Sequence, residues 1–241
     1  MAAAIVAAVT VAVQLARRFK VSQPAGVYDL VFPVIISALV GARLYAVALF
    51  WPAYAANPLE IFKVWHGGLA IHGAIAGGAL ALAWYCRRHR QPLLAWADLI
   101  AVVLPLGQAI GRWGNYFNQE LFGPPTTLPW GVFIAPPHRP AEFSHVVTFH
   151  PTFLYESLLN AGLFLLLAAG YGRWRSAAGR TLGTYFIGYG FIRLLMESLR
   201  LDPTPVVLGL RWPVLVSIGL IAAGGWLSFQ RRPASARTVG S

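Results

Sequence analysis

The sequence predicts an all-α protein: a polytopic membrane helix bundle of about seven transmembrane helices, with its N-terminus outside and its C-terminus cytoplasmic. Three observations predict it. Of 241 residues, 57% are hydrophobic and only 11% are charged, whereas a soluble domain carries about 25% charge. Apolar runs recur along the chain, and most approach the ~20 residues that a helix needs to cross a bilayer. The basic residues, which give a net charge of +11, stand in short clusters between those runs, as loop charges set by membrane orientation do. That distribution speaks against nucleic acid as a partner. With a single cysteine, Cys86, the chain has neither an internal disulfide nor a cysteine-rich metal site.

Seven apolar segments follow in order, at about 2–16, 28–50, 68–85, 93–110, 152–169, 182–199 and 213–229. The first is short, has no basic start and is followed by "RRFK", so it reads as a truncated span rather than a cleaved signal peptide. "RRFK", "RRHR", Arg173/Arg175/Arg180 and Arg231/Arg232/Arg237 hold three basic residues each, while the alternate connections hold only Lys63, Arg139, Arg200 and Arg211. The richer side is cytoplasmic by the positive-inside rule. Residues 1–230 form one transmembrane domain, and "PASARTVGS" within 231–241 reads as a disordered cytoplasmic tail. Residues 124–149 make an outer loop with six prolines, Trp130 and almost no charge. Long loops of that kind are functional or disordered, and this one reads as a cap or gate.

The segment "GRWGNYFNQELFG" (Gly111–Gly123) ends an apolar run in an arginine, two asparagines, a glutamine and a glutamate. Alternating directions explain where it lies. His72 falls near the outer end of the third span; Arg112, Asn115, Asn118 and Glu120 fall at the outer end of the fourth. His150, Tyr155 and Glu156 begin the fifth, Tyr189, Arg193 and Glu197 approach the outer face on the sixth, and Arg43 sits in the outer half of the second. At ~100° per residue, Tyr189, Arg193 and Glu197 share about 80° of one helix face, and Arg112, Asn115 and Gln119 about 60°. Ionisable groups inside a span are costly unless they face a protein interior or a water-filled cavity. A polar chamber open toward the outer leaflet accounts for all of them.

Each group also has a plainer reading. Arg193 and Glu197 are i,i+4 neighbours and form an ordinary ion pair; His72 is a core histidine; Gly73 and Gly77 are a small-xxx-small packing pair. Asn115 and Asn118 hydrogen-bond neighbouring helices, Arg43 snorkels to the interface, and the nine tryptophans are belt residues. Their convergence at one depth favours the chamber over any one of these.

With those residues in place, the chain resembles the prolipoprotein diacylglyceryl transferase family. "GRWGNYFNQELFG" has that family's signature of Gly-Arg, two Asn, Glu and a closing Gly, and "HGGLAIHGA", "HPTFLYE" and "YGFIRLLMES" are similar to three further blocks in the same order. The resemblance covers roughly residues 27–230. It implies a seven-span bacterial inner-membrane enzyme that moves the diacylglyceryl group of phosphatidylglycerol to the thiol of a lipobox cysteine in preprolipoproteins. Glycerol 1-phosphate is released, and no cofactor or metal is involved. By the same resemblance Arg112 engages the lipid headgroup, and Asn115, Glu120 and Gly123 hold essential neighbouring positions, with Asn118 beside them. His72 takes the place of the family histidine proposed as base, and Tyr189, Arg193 and Glu197 fall on the last functional block. The family also opens with an outer amphipathic arm and an early tyrosine, which "MAAAIVAAV" lacks; the start reads as truncated or misassigned.

A thioether requires attack at carbon with a phosphate ester leaving. The thiol, of pKa ~8.5 when unperturbed, must lose its proton, the departing anion must be stabilised, and the glycerol carbon must be held in line. His72 is the candidate base, with Glu120 as the alternative or an orienting partner; Arg112 grips the phosphate, and Arg193 the same anion or its glycerol. Tyr189 completes the catalytic set, and Asn115, Asn118, Gly123 and Glu197 join Arg112 in holding substrate. The alternative from another class is a transporter or channel with an outer-leaflet polar chamber, since buried ionisable groups also mark ion paths. No inverted repeat favours it; no GxS motif or membrane Asp pair points to an intramembrane protease, and no HExxH or close His pair to a zinc enzyme.

Overall fold

The computed structural model describes residues 2–21, 24–201 and 204–229. The tail expected to be disordered over 231–241, and with it Arg231, Arg232 and Arg237, lies outside the described residues. The helices are α1 (Ala2–Phe19), α2 (Pro24–Leu49), the short α3 (Trp51–Ala56), α4 (Ile71–Arg88), α5 (Leu93–Asn118), α6 (Thr152–Trp174), α7 (Arg180–Glu197) and α8 (Trp212–Phe229). All but α3 coincide with the seven apolar segments, and the protein is an all-α membrane protein. Five of them, α1, α2, α5, α6 and α8, are long and apolar enough to cross a bilayer. The remaining two long helices, α4 and α7, are diluted by three glycines each and by His72, Arg87 and Arg88 in one and Arg180, Arg193 and Glu197 in the other.

The chain forms two compact units: Val13–Ala97, and the described residues of Met1–Ala12 with Asp98–Ser241. In the first, α2 and α4 pack through small residues. A Cβ placed on Gly73 would collide with the Gly41 carbonyl, and one on Gly77 with the Ser37 carbonyl. Ser37-x-x-x-Gly41 therefore meets Gly73-x-x-x-Gly77, the packing read for those glycines from their spacing. Close backbone approach of this kind replaces hydrophobic driving force where the solvent is lipid.

In the second unit, α7 packs on α8 where a Cβ on Gly183 would meet the Gly224 carbonyl at 2.7 Å. Asp98, 1% exposed at the start of α5, accepts from the backbone N–H groups of Gly179 (2.7 Å) and Leu182 (2.8 Å). Ser157 of α6 donates to the Ala109 carbonyl of α5 at 2.9 Å, and Gln108 of α5 to the Tyr185 hydroxyl of α7 at 2.8 Å. Residues 124–149 carry more internal order than their composition implies. Strands β1 (Val132–Phe133) and β2 (Thr148–Phe149) pair antiparallel, and two 3₁₀ turns, Pro136–His138 and Ala141–Phe143, lie between them. Gly123 N–H to the His150 carbonyl (2.9 Å) and His150 N–H to the Pro124 carbonyl (3.0 Å) tie the segment at its base. A second small hairpin, β3 (Val206–Val207) with β4 (Leu210–Arg211), leads into α8.

Candidate active site

Helix α5 does not stop at the end of its apolar run. It continues through Arg112 and Asn115 to Asn118, so those side chains are carried on a rigid rod. Arg112 turns toward α6, where its guanidinium is in close ion-pair contact with the Glu156 carboxylate. Glu156 is 3% exposed and collects two more cations, Arg200 at 3.4 Å and Arg193 at 3.9 Å. Arg193 in turn reaches Glu197, its i,i+4 neighbour on α7, at 3.2 Å. Arg211, at the end of β4, approaches the other Glu197 oxygen at 3.1 Å while its Nε–H donates to Thr204 at 2.9 Å. Four arginines thus surround two buried carboxylates, from α5, α6, α7, the turn after α7, and β4. Net positive charge at low exposure is the electrostatics of an anion site, and the planar guanidinium fork matches phosphate oxygens.

Tyr189 stands one turn before Arg193 and stacks on Tyr185, rings 5.7 Å apart and 17° from parallel. Asn115 and Asn118 both turn to Glu120, donating to the same carboxylate oxygen at 2.9 and 3.2 Å. Gln119 accepts from the Ala135 N–H at 2.7 Å, fastening the 124–149 segment to the end of α5. A cavity of about 400 Å³ opens here, with Asn115, Gln119 and Glu120 on one side and Tyr116, Phe133 and Phe153 among its walls. Amides and a carboxylate share this lining with aromatic rings, so the cavity offers both polar and apolar surface to a ligand. Gly123 is buried, and a Cβ on it would lie 2.8 to 3.0 Å from Thr152, His150 and the Leu199 carbonyl, so its place in the structure is a close backbone approach. Next to it, Tyr155 accepts from Trp130 at 2.9 Å and pairs with His150 Nδ1 at 3.1 Å.

His72 and Arg43 belong to the other unit. His72, in the first turn of α4, is exposed; its ring centroid is 5.8 Å from that of Tyr45, and among the described residues its imidazole has no hydrogen-bond or ion-pair partner. Arg43, placed by sequence among the chamber's polar groups with an interfacial anchor as its plainer reading, is 6% exposed and turned inward. Its guanidinium donates to the carbonyls of Ile61 (2.9 Å), Gly67 (2.5 Å), Gly68 (2.9 Å), Lys63 (3.2 Å) and Glu60, and to the Tyr54 hydroxyl at 3.0 Å. It organises the connection between α3 and α4. Gly68 has a positive φ of 67°, and a Cβ there would strike Tyr54 and Arg43. Glu60, paired with Lys63 (2.7 Å) and His66 (2.8 Å), has its carboxyl held below the usual 4.5, first by the Lys63 hydrogen bond and then by His66.

Arg112, Arg193 and Glu197 are site residues by sequence, whereas Glu156 is legible there only as a polar group at the depth of the chamber, with no role of its own, and Arg200 and Arg211 only as loop charges. The signal for Glu156 was a carboxylate in the first turns of an apolar span, in "HPTFLYES".

The family described as prolipoprotein diacylglyceryl transferase matches residues 1–230 of the chain. The phosphatidylglycerol–prolipoprotein diacylglyceryl transferase of Synechococcus elongatus is 45% identical over 230 residues, covering 93% of this chain and 78% of the relative. That of Thermosynechococcus vestitus is 43% identical over 226 residues, covering 91% and 83%. A phosphatidylglycerol–prolipoprotein diacylglyceryl transferase 2 from Streptomyces coelicolor is 50% identical over 192 residues, covering 76% and 60%. With a match that runs through α5, α6 and α7 and the arginine–glutamate cluster they carry, the chain belongs to the prolipoprotein diacylglyceryl transferase family.

Proposed function

We propose that the protein transfers the diacylglyceryl group of phosphatidylglycerol to the thiol of a lipobox cysteine in preprolipoproteins, in the bacterial inner membrane. The observation that carries this is the cluster of Arg112, Arg193, Arg200 and Arg211 around Glu156 and Glu197. It is a net cationic, part-buried site, and α5 and α6, which carry Arg112 and Glu156, also contribute Asn115 and Phe153 to a pocket of mixed polar and aromatic lining, a combination suited to an anionic headgroup on an apolar tail.

In the reaction a thiolate attacks the glycerol carbon that bears the phosphate ester. A C–S bond forms, the C–O bond breaks, and both electrons leave on the phosphate oxygen as glycerol 1-phosphate. Arg112 holds the phosphate, and Arg193 stabilises the charge that grows on it, the point where electrostatic preorganisation has most effect on rate. Glu156 and Glu197 fix the guanidinium planes. Asn115, Asn118 and Glu120 hold the glycerol portion, with Gly123 keeping their backbone in place, and Tyr189 supports Arg193 from one turn below. His72, whose imidazole has no hydrogen-bond or ion-pair partner among the described residues, takes the thiol proton; Glu120 is the alternative base or its orienting partner. No metal or cofactor enters the scheme.

All seven long helices span the membrane in this reading, with the N-terminus outside, and residues 1–230 act as one catalytic domain. Segment 124–149 serves as cap or gate over the end of α5. No observation favours transport. The deciding experiment is incubation of purified protein with phosphatidylglycerol and a lipobox peptide. A peptide mass gain of one diacylglyceryl group is expected, and an unchanged peptide overturns the proposal. Single cysteines placed in 124–149 should react with impermeant thiol reagents on intact spheroplasts; labelling only after lysis overturns the orientation.

A further inference from the structure

We propose that Asp98 is a positioning residue: it locks the axial register of α7 against α5 and so sets the depth of Arg193 relative to Arg112. This rests on the transferase reading of those arginines. The Asp98 carboxylate is 1% exposed and both its oxygens are engaged, Oδ2 by the Gly179 N–H at 2.7 Å and Oδ1 by the Leu182 N–H at 2.8 Å. Helix α7 begins after Gly179, whose left-handed backbone (φ 91°) carries no side chain to cap the helix. The open N–H groups of a first turn must be satisfied by something. A local Ser, Thr or Asn would stabilise α7 equally well, but it would add no tie between α7 and α5. The cap comes instead from α5.

The spacing gives that choice a consequence. Arg112 lies fourteen residues beyond Asp98, and Arg193 fourteen residues beyond Gly179. At 1.5 Å per residue each arginine stands about 21 Å from the clamp, and both meet the same carboxylate, Glu156. Between the two levels Gln108 donates to Tyr185 at 2.8 Å, so the same pair of helices is tied in the middle as well. A slip of α7 by one residue moves Arg193 by about 1.5 Å along the axis and turns it by about 100°. Its approach to Glu156, already 3.9 Å, would be lost. Errors of about 1 Å in placed groups cost rate on the order of a hundredfold.

The test uses the full-length protein with Cys86 replaced by Ala and spin labels on Leu104 of α5 and Leu195 of α7, both exposed and outside the site. With Asp98 intact, pulsed spin-resonance distances should form one narrow population. Asp98→Ala should broaden or displace it by at least about one residue's rise. It should also lower kcat by about 10- to 100-fold while KM for phosphatidylglycerol, set chiefly by Arg112, shifts by less than about threefold. Asp98→Asn keeps one acceptor oxygen and should fall between, and it carries the same measurement if the alanine variant does not accumulate. A kcat loss with an unchanged distance distribution overturns the proposal, as does a displaced distribution with wild-type kcat. If the unsubstituted protein shows no transfer at all, the transferase reading fails, whereas the distance measurement still decides the register.

Discussion

The Arg112 guanidinium of α5 and the Glu156 carboxylate of α6 are in direct ion-pair contact, with Glu156 almost wholly removed from solvent. A buried carboxylate shared among three arginines neutralises only part of their charge. It therefore orients the cations and leaves them available to a phosphate. Glu156→Gln keeps the shape and removes the charge. The expected loss of stability is about 1–3 kcal/mol, less than the ~3–5 of a fully buried pair because the Arg112 side chain is 20% exposed. Transfer should fall by at least about tenfold, and KM for phosphatidylglycerol should not rise, since the cations remain. Thermal unfolding in detergent and initial rates check both; a raised KM at unchanged kcat would assign Glu156 to lipid binding instead of orientation.

Arg112→Lys separates geometry from charge. Lysine supplies a point charge where arginine supplies a planar fork able to hold the carboxylate and a phosphate together. Transfer should drop by about 100-fold or more, comparable to losing a transition-state donor, with normal membrane insertion. Cys86→Ala should leave activity within about twofold, because Cys86 is buried within α4 and takes part in none of the proposed steps. Similar losses from both substitutions would remove Arg112 from the chemistry.

Arg43 predicts a local effect in the other unit. It donates to carbonyls across residues 60–68, so Arg43→Ala should speed amide exchange there far more than in α2 or α4. Glu60 adds a pH dependence. Its carboxyl is held below 4.5 by Lys63 and then His66, so the pairing stabilises the segment above about pH 4.5. That stabilisation is lost as pH falls through the lower folded value. Exchange corrected for its intrinsic pH dependence should rise below pH 4.5 in the unsubstituted protein and stay flat in Glu60→Gln.

Helical periodicity and charge made part of this site readable. Arg193 and Glu197 pair at i,i+4 as their spacing requires, and Gly73 and Gly77 mark a close helix crossing. The 124–149 loop was visible from its prolines, but its hairpin was not, because β1 and β2 are two residues each and too short for any alternation. The partners of Glu156, Arg200 and Arg211 were hidden for a different reason. Their pairing runs between helices and a hairpin, and interhelical partners depend on packing angle and depth, which no single segment encodes. The same holds for Asp98, whose place near the start of an apolar run is visible in the sequence while its partners, Gly179 and Leu182, are not. The carbonyls that Arg43 meets were not legible either, because a lone arginine within a span has the same sequence pattern whether it faces water, a polar chamber or backbone carbonyls.

The chemistry has the sharpest consequence. Attack at carbon places the phosphate on the departing glycerol, so the products should be a thioether-linked diacylglyceryl peptide and glycerol phosphate in equal amounts. A phosphoryl transferase would use the same arginines, break the bond at phosphorus and free diacylglycerol. Anion stabilisation is alike in the two cases, and only the products tell them apart. Replacing the lipobox cysteine by serine should abolish transfer, because a hydroxyl is far harder to ionise than a thiol of pKa ~8.5. His72 offers an exposed imidazole with no partner among the described residues, so it is available to take the thiol proton. His72→Gln should slow transfer by about 10²–10⁴-fold, the usual contribution of a general base. Raising the pH from 7 toward 9 should recover much of that loss, since more of the thiol then ionises without help. A loss that stays flat with pH moves the base role to Glu120, which already sits between the Asn115 and Asn118 amides, and leaves His72 to position the peptide. Phosphate recovered on the peptide would exclude attack at carbon.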